Sequence, residues 1–438
     1  MQGNTQLTQM NYYPLLRAQI VEKGLLEKKP ISVLLHLILA VTLLGLSIVC
    51  ATLFPPLSTV VFAVVGGFGS LLLGYVMHDG GHRQCSRDER VNNLFGWCAT
   101  VFLGTSLIAW MDVHNAHHNQ PNHEDDDPDV TVPFVAYSQK QVHSAQRRPY
   151  RWFIAHQTWF YVLLLSLVPY SKRYYGLYQL MLKKEKTAAV CLDLAIVLLW
   201  HVYYYGGLWF LFGFWNMLLF TSIHQAALGI FFGMVFAPNH KGMPIIERGE
   251  QLDFFTRQVI TSRNMHPNPI TDFLYGGLNY QIEHHLFPHM PRYNLARAKV
   301  VVEKFCKEHG VPYYETTIMD SYREVYRSLR EIADYARSQP ATVAFLREKL
   351  TFAIENAQQE VEQFLEKSIH QQLDSVQYES LKRTHDLACE RLTAIRTRMM
   401  QASEQRKERL QEYYREVQAL VQRMRSVAKQ RTGVLIKA

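Results

Sequence analysis

Three groups of histidines stand out in the chain: His78-Asp79-Gly80-Gly81-His82, His114-Asn115-Ala116-His117-His118 and Gln281-Ile282-Glu283-His284-His285. Within each group the imidazoles are adjacent or three or four residues apart. On a helix, positions i, i+3 and i+4 share a face, so this spacing aims ring nitrogens at one point. Neutral imidazole binds zinc, copper, iron and nickel, and ligand type alone does not choose among them. Ligand number is more telling. The groups supply seven imidazoles, and His240 makes eight. One zinc takes about four ligands, usually with thiolates in structural sites. Eight imidazoles are enough for two metal ions with positions left open for oxygen.

Each group lies at the end of an apolar stretch or close downstream of one. Residues 31–54 carry no charge and are long enough to span a bilayer. Pro55-Pro56 stops them, and a second uncharged run, 57–77, ends directly on His78. Residues 188–205, with the single acid Asp193, and 208–236 form a second pair separated by Gly206-Gly207, and its far end reaches Asn239-His240. The tight turns at Pro55 and Gly206 hold no Lys or Arg, whereas the stretches between and outside the pairs hold many. By the positive-inside rule both termini and all histidine groups face the cytoplasm. The apolar pieces 94–111 and 152–170 are short or ambiguous as spans. An interfacial helix over 94–111 keeps the first two groups on one side of the membrane.

The expected fold is therefore all-α and integral to the membrane, with four spans in two hairpins and two interfacial helices. A polar cytosolic segment, 1–30, precedes a membrane domain, 31–338, whose residues from 241 form a histidine-rich cytosolic cap. Residues 339–438 have no glycine or proline between Ala341 and Thr432 and repeat apolar residues every three or four positions, as at Leu346, Leu350 and Ile354. Long helices coiled against each other or a partner follow from that pattern. The formal charge of +8 does not point to nucleic acid, because the basic residues flank the apolar runs and fill the tail. The six scattered cysteines form no CxxC pair, which fits reduced thiols facing a cytosol. No apolar h-region of a cleavable signal precedes Ile31.

The spans deliver the imidazoles to the membrane surface, next to an apolar interior. A lipid tail is the substrate this placement suggests, with metal–oxygen chemistry at an unactivated C–H bond. HDGGH, HNAHH and QIEHH, in this order and around two membrane hairpins, resemble the histidine boxes of the membrane-bound fatty acid desaturases, over roughly residues 30–334. The resemblance implies a non-haem di-iron centre that uses O2 to remove two hydrogens from an acyl chain, leaving a cis double bond and water. It makes His78, His82, His114, His117, His118, His284 and His285 iron ligands, and matches His240 to a further ligand after the last span. Asn239, Asp79 and Gln281 are candidates for the metals or for orienting their ligands.

Many members carry histidine where Gln281 stands. Glutamine there resembles front-end enzymes, which insert a bond between an existing one and the carboxyl end, and some bacterial relatives. The cytochrome b5 motif HPGG does not occur in the chain. The resemblance then implies electrons from a separate ferredoxin or flavoprotein reductase, and a bacterial cytoplasmic membrane. The acyl carrier, CoA or lipid, is left open. Two alternatives remain, a di-iron lipid hydroxylase or ketolase and a histidine-rich metal transporter. Of the other histidines, His36, His156, His201 and His224 sit alone in apolar stretches and are expected to be packed and hydrogen-bonded, while His123, His143, His266 and His289 are expected in loops. The acidic run Asp125 to Asp129 is either a solvated loop or a device that orients imidazoles.

Overall fold

The computed structural model describes residues 12–338 except 54–56, 146–147, 248 and 251, together with short helical pieces beyond 338. The expected coiled coil over 339–438 lies almost wholly outside the described residues. Two compact units are present, Met1–Val135 with Thr158–Arg330, and Ala136–Gln157 with Glu331–Ala438. Every histidine box belongs to the first.

That unit begins with α1 (Tyr13–Glu22), α2 (Pro30–Leu53) and α3 (Leu57–Gly81). Nothing in α2 or α3 up to Met77 is charged, and α3 runs on through the first histidine box to Gly81. Then come α4 (Glu89–Leu103) and α5 (Leu107–Asn119). The single interfacial helix expected over 94–111 is instead this pair, bent by 109°. Gly104 makes the bend: its φ of 65° lies in the left-handed region, and a Cβ there would come within 2.2 Å of the Trp200 ring. Ser106 then caps α5 by accepting from the Ala109 amide.

In the second unit, α6 (Gln139–Ser144) carries a Ser138/Gln141 capping box, and α7 (Arg148–Ala155) follows it. Ala136, Val142, Ile154 and Ala336 form a small core there. Next along the chain are α8 (Gln157–Ser166), α9 (Val168–Leu182) and α10 (Ala188–His240).

α10 is two arms. Gly213 has φ 73° and ψ 169°, which no helix tolerates, and the Tyr204 hydroxyl lies 2.6 Å from His224 Nδ1, 20 residues away. A straight helix would separate that pair by roughly 30 Å, so the chain doubles back at Gly213. The hairpin with arms 188–205 and 208–236 is thus corrected: the reversal falls at Gly213, not at Gly206-Gly207. Helix continues through the two glycines because Trp200, Tyr204 and Leu208, four residues apart, share a face that packs on Met217 and Phe220.

Three helices, Pro30–Leu53, Ser58–Gly81 and Ala188–His240, are long and apolar enough to cross a membrane. Leu35, Val202, Phe210 and Trp215 point outward from them, a surface that lipid rather than water would cover. The chain is a membrane protein.

The remaining helices build the cap: α11 (Phe254–Ile260), α12 (Pro269–Tyr275), α13 (Gln281–Leu286), α14 (Leu295–Glu308) and α15 (Ile318–Ser338). The only paired strands among the described residues are the two-residue β1 (Asn264–Met265) and β2 (Glu315–Thr316). Leu16, Ile20 and Leu25, in the segment read as merely polar, are buried with Phe255, Ile282, Leu286 and Phe305. Residues 16–25 are therefore part of the cap's core.

Candidate metal centre

The first box completes α3 at the point where that helix meets α4. A Cβ on Gly80 would lie 2.7 Å from the Asn92 carbonyl and the Gly96 amide, and one on Gly81 would strike Trp110 at 2.4 Å. The two glycines between the histidines thus let the helices touch. The second box forms the last turns of α5, whose start is held by Asp193. That buried carboxylate accepts from Ser106 Oγ at 2.6 Å and from the Ile108 amide at 3.0 Å. The lone acid of the apolar run is a clamp on the helix carrying His114, His117 and His118. The third box is the six-residue α13, anchored from behind: Glu283 accepts from Asn264 Nδ2 at 2.8 Å and from the Tyr313 hydroxyl at 2.9 Å. Burial pushes the Glu283 carboxyl up to about 7 against those two hydrogen bonds.

All eight imidazoles are buried and meet in one place. His78, His82, His114 and His284 form one group and His117, His240 and His285 another, with ligand atoms within 4.8 Å of one another in each. Boxes two and three each contribute to both. The His118 ring lies between the groups, 4.5 Å from that of His82 and 4.2 Å from that of His285.

Three Nε2–Nε2 pairs, His78–His284, His114–His118 and His117–His240, lie 3.1, 3.2 and 3.3 Å apart. Two imidazoles bound to one metal at about 2.0–2.1 Å, roughly 90–110° apart, place their nitrogens at just such separations. His82 Nε2 and His285 Nε2 are buried without a hydrogen-bond partner. Such orphaned acceptors are costly unless something else engages them. Burial, and after it the neighbouring imidazoles, hold His284 and His285 well below the ordinary histidine value, so both rings are neutral. Neutral, convergent and unpartnered nitrogens fit a pair of transition-metal ions.

Groups outside the boxes aim these rings. Asp127, from the acidic run, accepts from His117 Nδ1 through both oxygens at 2.9 and 3.0 Å. The Thr261 carbonyl accepts from His240 Nδ1 at 3.0 Å, and Gln258 Oε1 from His285 Nδ1 at 2.9 Å. In each case the other nitrogen, Nε2, keeps the lone pair a metal needs. Asp79 sits on the Nδ1 side of His78, 3.8 Å away, and is paired with Arg292 at 2.9 Å. It belongs to neither histidine group. Gln281 is buried. Its Nε2 lies 3.0 Å from His240 Nε2, and its Oε1 accepts from Asn239 Nδ2 at 2.9 Å. The amide thus borders the second group at His240.

The isolated histidines are packed as expected. His36, His156 and His201 each donate from Nδ1 to the carbonyl four residues earlier, and His224 lies between Ser70 and Tyr204. His289, expected in a loop, donates to the His82 carbonyl at 2.8 Å. Gln258 and Thr261 went unnoticed in the sequence. Nothing in their spacing marks them, since they reach the site only after α11 docks.

The family model for fatty acid desaturases matches residues 53–317. An acyl-lipid (9-3)-desaturase of Physcomitrium patens is 30% identical over 278 residues, 62% of this chain and 53% of its own length. A Delta(8)-fatty-acid desaturase of Euglena gracilis is 29% identical over 297 residues, covering 64% of this chain and 69% of the relative. A Delta(6)-fatty-acid desaturase of Caenorhabditis elegans is 28% identical over 291 residues, or 61% and 63%. The chain thus matches about half the length of the moss relative. With its family match running from the end of α2 through all three boxes into the cap, the chain belongs to the fatty acid desaturase family.

Proposed function

We propose that the protein is an O2-dependent fatty acyl desaturase that introduces a cis double bond into a lipid acyl chain. The observation that carries this reading is the meeting of eight buried imidazoles, seven of them in two convergent groups with His118 between, where apolar helices end. His78, His82, His114 and His284 would hold one non-haem iron, and His117, His240 and His285 the other, with His118 between them. Gln281 and Asn239 border the second. Bound there, the iron pair would supply activation of O2 and removal of two hydrogens, with two electrons and two protons reducing the oxygen to water. The chain's own part is to keep the imidazoles neutral, to fix the tautomers of His117 and His240 through Asp127 and the Thr261 carbonyl, and to exclude bulk water.

Four spans follow if α2, α3 and the two arms of α10 each cross the bilayer. Each arm exceeds the ~20 residues a bilayer core needs. The absence of Lys and Arg at the outer turns then places the boxes and both termini on the cytoplasmic side, in our reading of a bacterial cytoplasmic membrane. The two electrons would be supplied by a donor such as a ferredoxin or flavoprotein. The glutamine of the third box and the Delta(6) and Delta(8) names of two relatives favour front-end insertion, and the acyl-lipid name of a third favours a lipid-borne chain.

Expression in a host with simple lipids, followed by mass spectrometry of double-bond positions, tests the reading. A new cis bond on the carboxyl side of an existing one is expected, and its loss in His117→Ala. Lipids that gain oxygen instead would identify a hydroxylase or ketolase. Purified protein with one zinc per chain and a His117→Ala variant with unchanged product would favour transport.

A further inference from the structure

The strongest unassigned feature near the site is α11, which contributes no box residue. Gln258 on this helix is fully buried. Its Nε2 donates to the His118 carbonyl at 2.8 Å, and its Oε1 accepts from His285 Nδ1 at 2.9 Å. The carbonyl can only accept, so it decides which way round the amide sits. The oxygen is then forced toward His285, and His285 must carry its proton on Nδ1. Its Nε2, buried and without a partner, is left as a lone pair facing His117 and His240. One turn later the Thr261 carbonyl imposes the same tautomer on His240. The Gln258 side chain and the carbonyl of Thr261, the residue that caps α11, thus serve neighbouring rings of one group.

We infer that Gln258 is a positioning residue of the metal centre, locking the His285 tautomer and tying the second box to the third through one amide. This inference rests on the proposed metal function. Its rival is that Gln258 merely fills space in the cap.

Two variants separate these. Gln258→Met keeps volume and flexibility but removes both hydrogen bonds. Gln258→Glu keeps the shape and, measured at a pH where its carboxyl is protonated, can donate from one oxygen to the His118 carbonyl and accept on the other from His285. Metal affinity is measured on the purified full chain in detergent by titrating Co(II) into metal-free protein and following its ligand-field absorption. Gln258→Met is expected to weaken Co(II) binding by about 10–100-fold and alter the spectrum, while Gln258→Glu stays near wild type. Wild-type affinity and spectrum in Gln258→Met would overturn the inference, as would equal losses in both variants. Should Gln258→Met fail to accumulate, Gln258→Asn replaces it, keeping a buried amide one methylene too short to reach both partners, with the same two outcomes. A wild-type protein that binds no Co(II) or iron would refute the proposed function itself, a result distinct from failure of the Gln258 inference.

Discussion

His117 Nε2 and His240 Nε2 stand 3.3 Å apart, although 123 residues separate them along the chain. His240 closes the second arm of α10 and His117 lies near the end of α5, and the clamp at Asp193 and the bend at Gly104 aim α5 so that the two ends meet. Several consequences can be measured.

Removing either partner takes a ligand from the same group. His117→Ala and His240→Ala are each expected to lower bound iron from about two equivalents toward one, and to abolish the new double bond. His78→Ala and His284→Ala should do the same through the other group. Metal analysis of protein purified from membranes, beside lipid analysis of the same cells, decides the point. Full iron with full product in His240→Ala would remove it from the site.

Asp127→Asn tests orientation rather than ligation. The amide keeps the volume but replaces an acceptor-only carboxylate that grips His117 Nδ1 with both oxygens. A loss of about 10–100-fold in activity or iron affinity is expected, with normal insertion into the membrane. Unchanged iron affinity would reduce the acidic run to a solvated loop.

Asp193→Leu removes the acceptor for Ser106 Oγ and for the first amides of α5. Each buried donor left unmatched costs about 1–3 kcal/mol. Lower thermal stability in detergent is expected, together with weaker iron binding, since α5 carries three box histidines. Asp193→Asn retains one acceptor and should fall between. Iron binding that survives the stability loss would confine Asp193 to the fold.

Acid should unload and destabilise the protein together. In the unfolded chain His284 and His285 take up protons near 6.5, whereas burial holds their folded values well below that. Below pH 6.5 the unfolded state therefore binds protons that the folded state refuses, and stability present above that pH is lost as the pH falls. The unfolding temperature of metal-free protein should drop between about pH 7 and 5, and a His284→Asn/His285→Asn double variant should show a flatter profile. Equal profiles would mean that other groups control acid sensitivity.

Much of the site was readable along the chain because its logic is local. Histidines spaced by three and four on helices, next to uncharged runs, specify a ligand face and a depth without tertiary information. The helical class followed from the same runs, and so did the packed state of His36, His156 and His201, whose Nδ1 groups find a carbonyl one turn back. The turn of the second hairpin was misplaced because Gly206-Gly207 carries the strongest local breaking signal. Burial of Trp200, Tyr204 and Leu208 on one helical face outweighs that signal and moves the reversal to Gly213.

The sequence by itself determined which atoms can bind a metal, since imidazole chemistry and helical spacing belong to the residues. Tertiary structure alone decided how those atoms divide into two groups and which nitrogen of each ring faces inward. Box three sends His284 to one group and His285 to the other, a division made by what lies opposite each ring. Gln258, Thr261, Asp127 and Asp193 become part of the centre only through contacts across the fold. A hydrogen bond between distant residues has no periodicity to read, so its partners emerge only when packing brings them within about 3 Å.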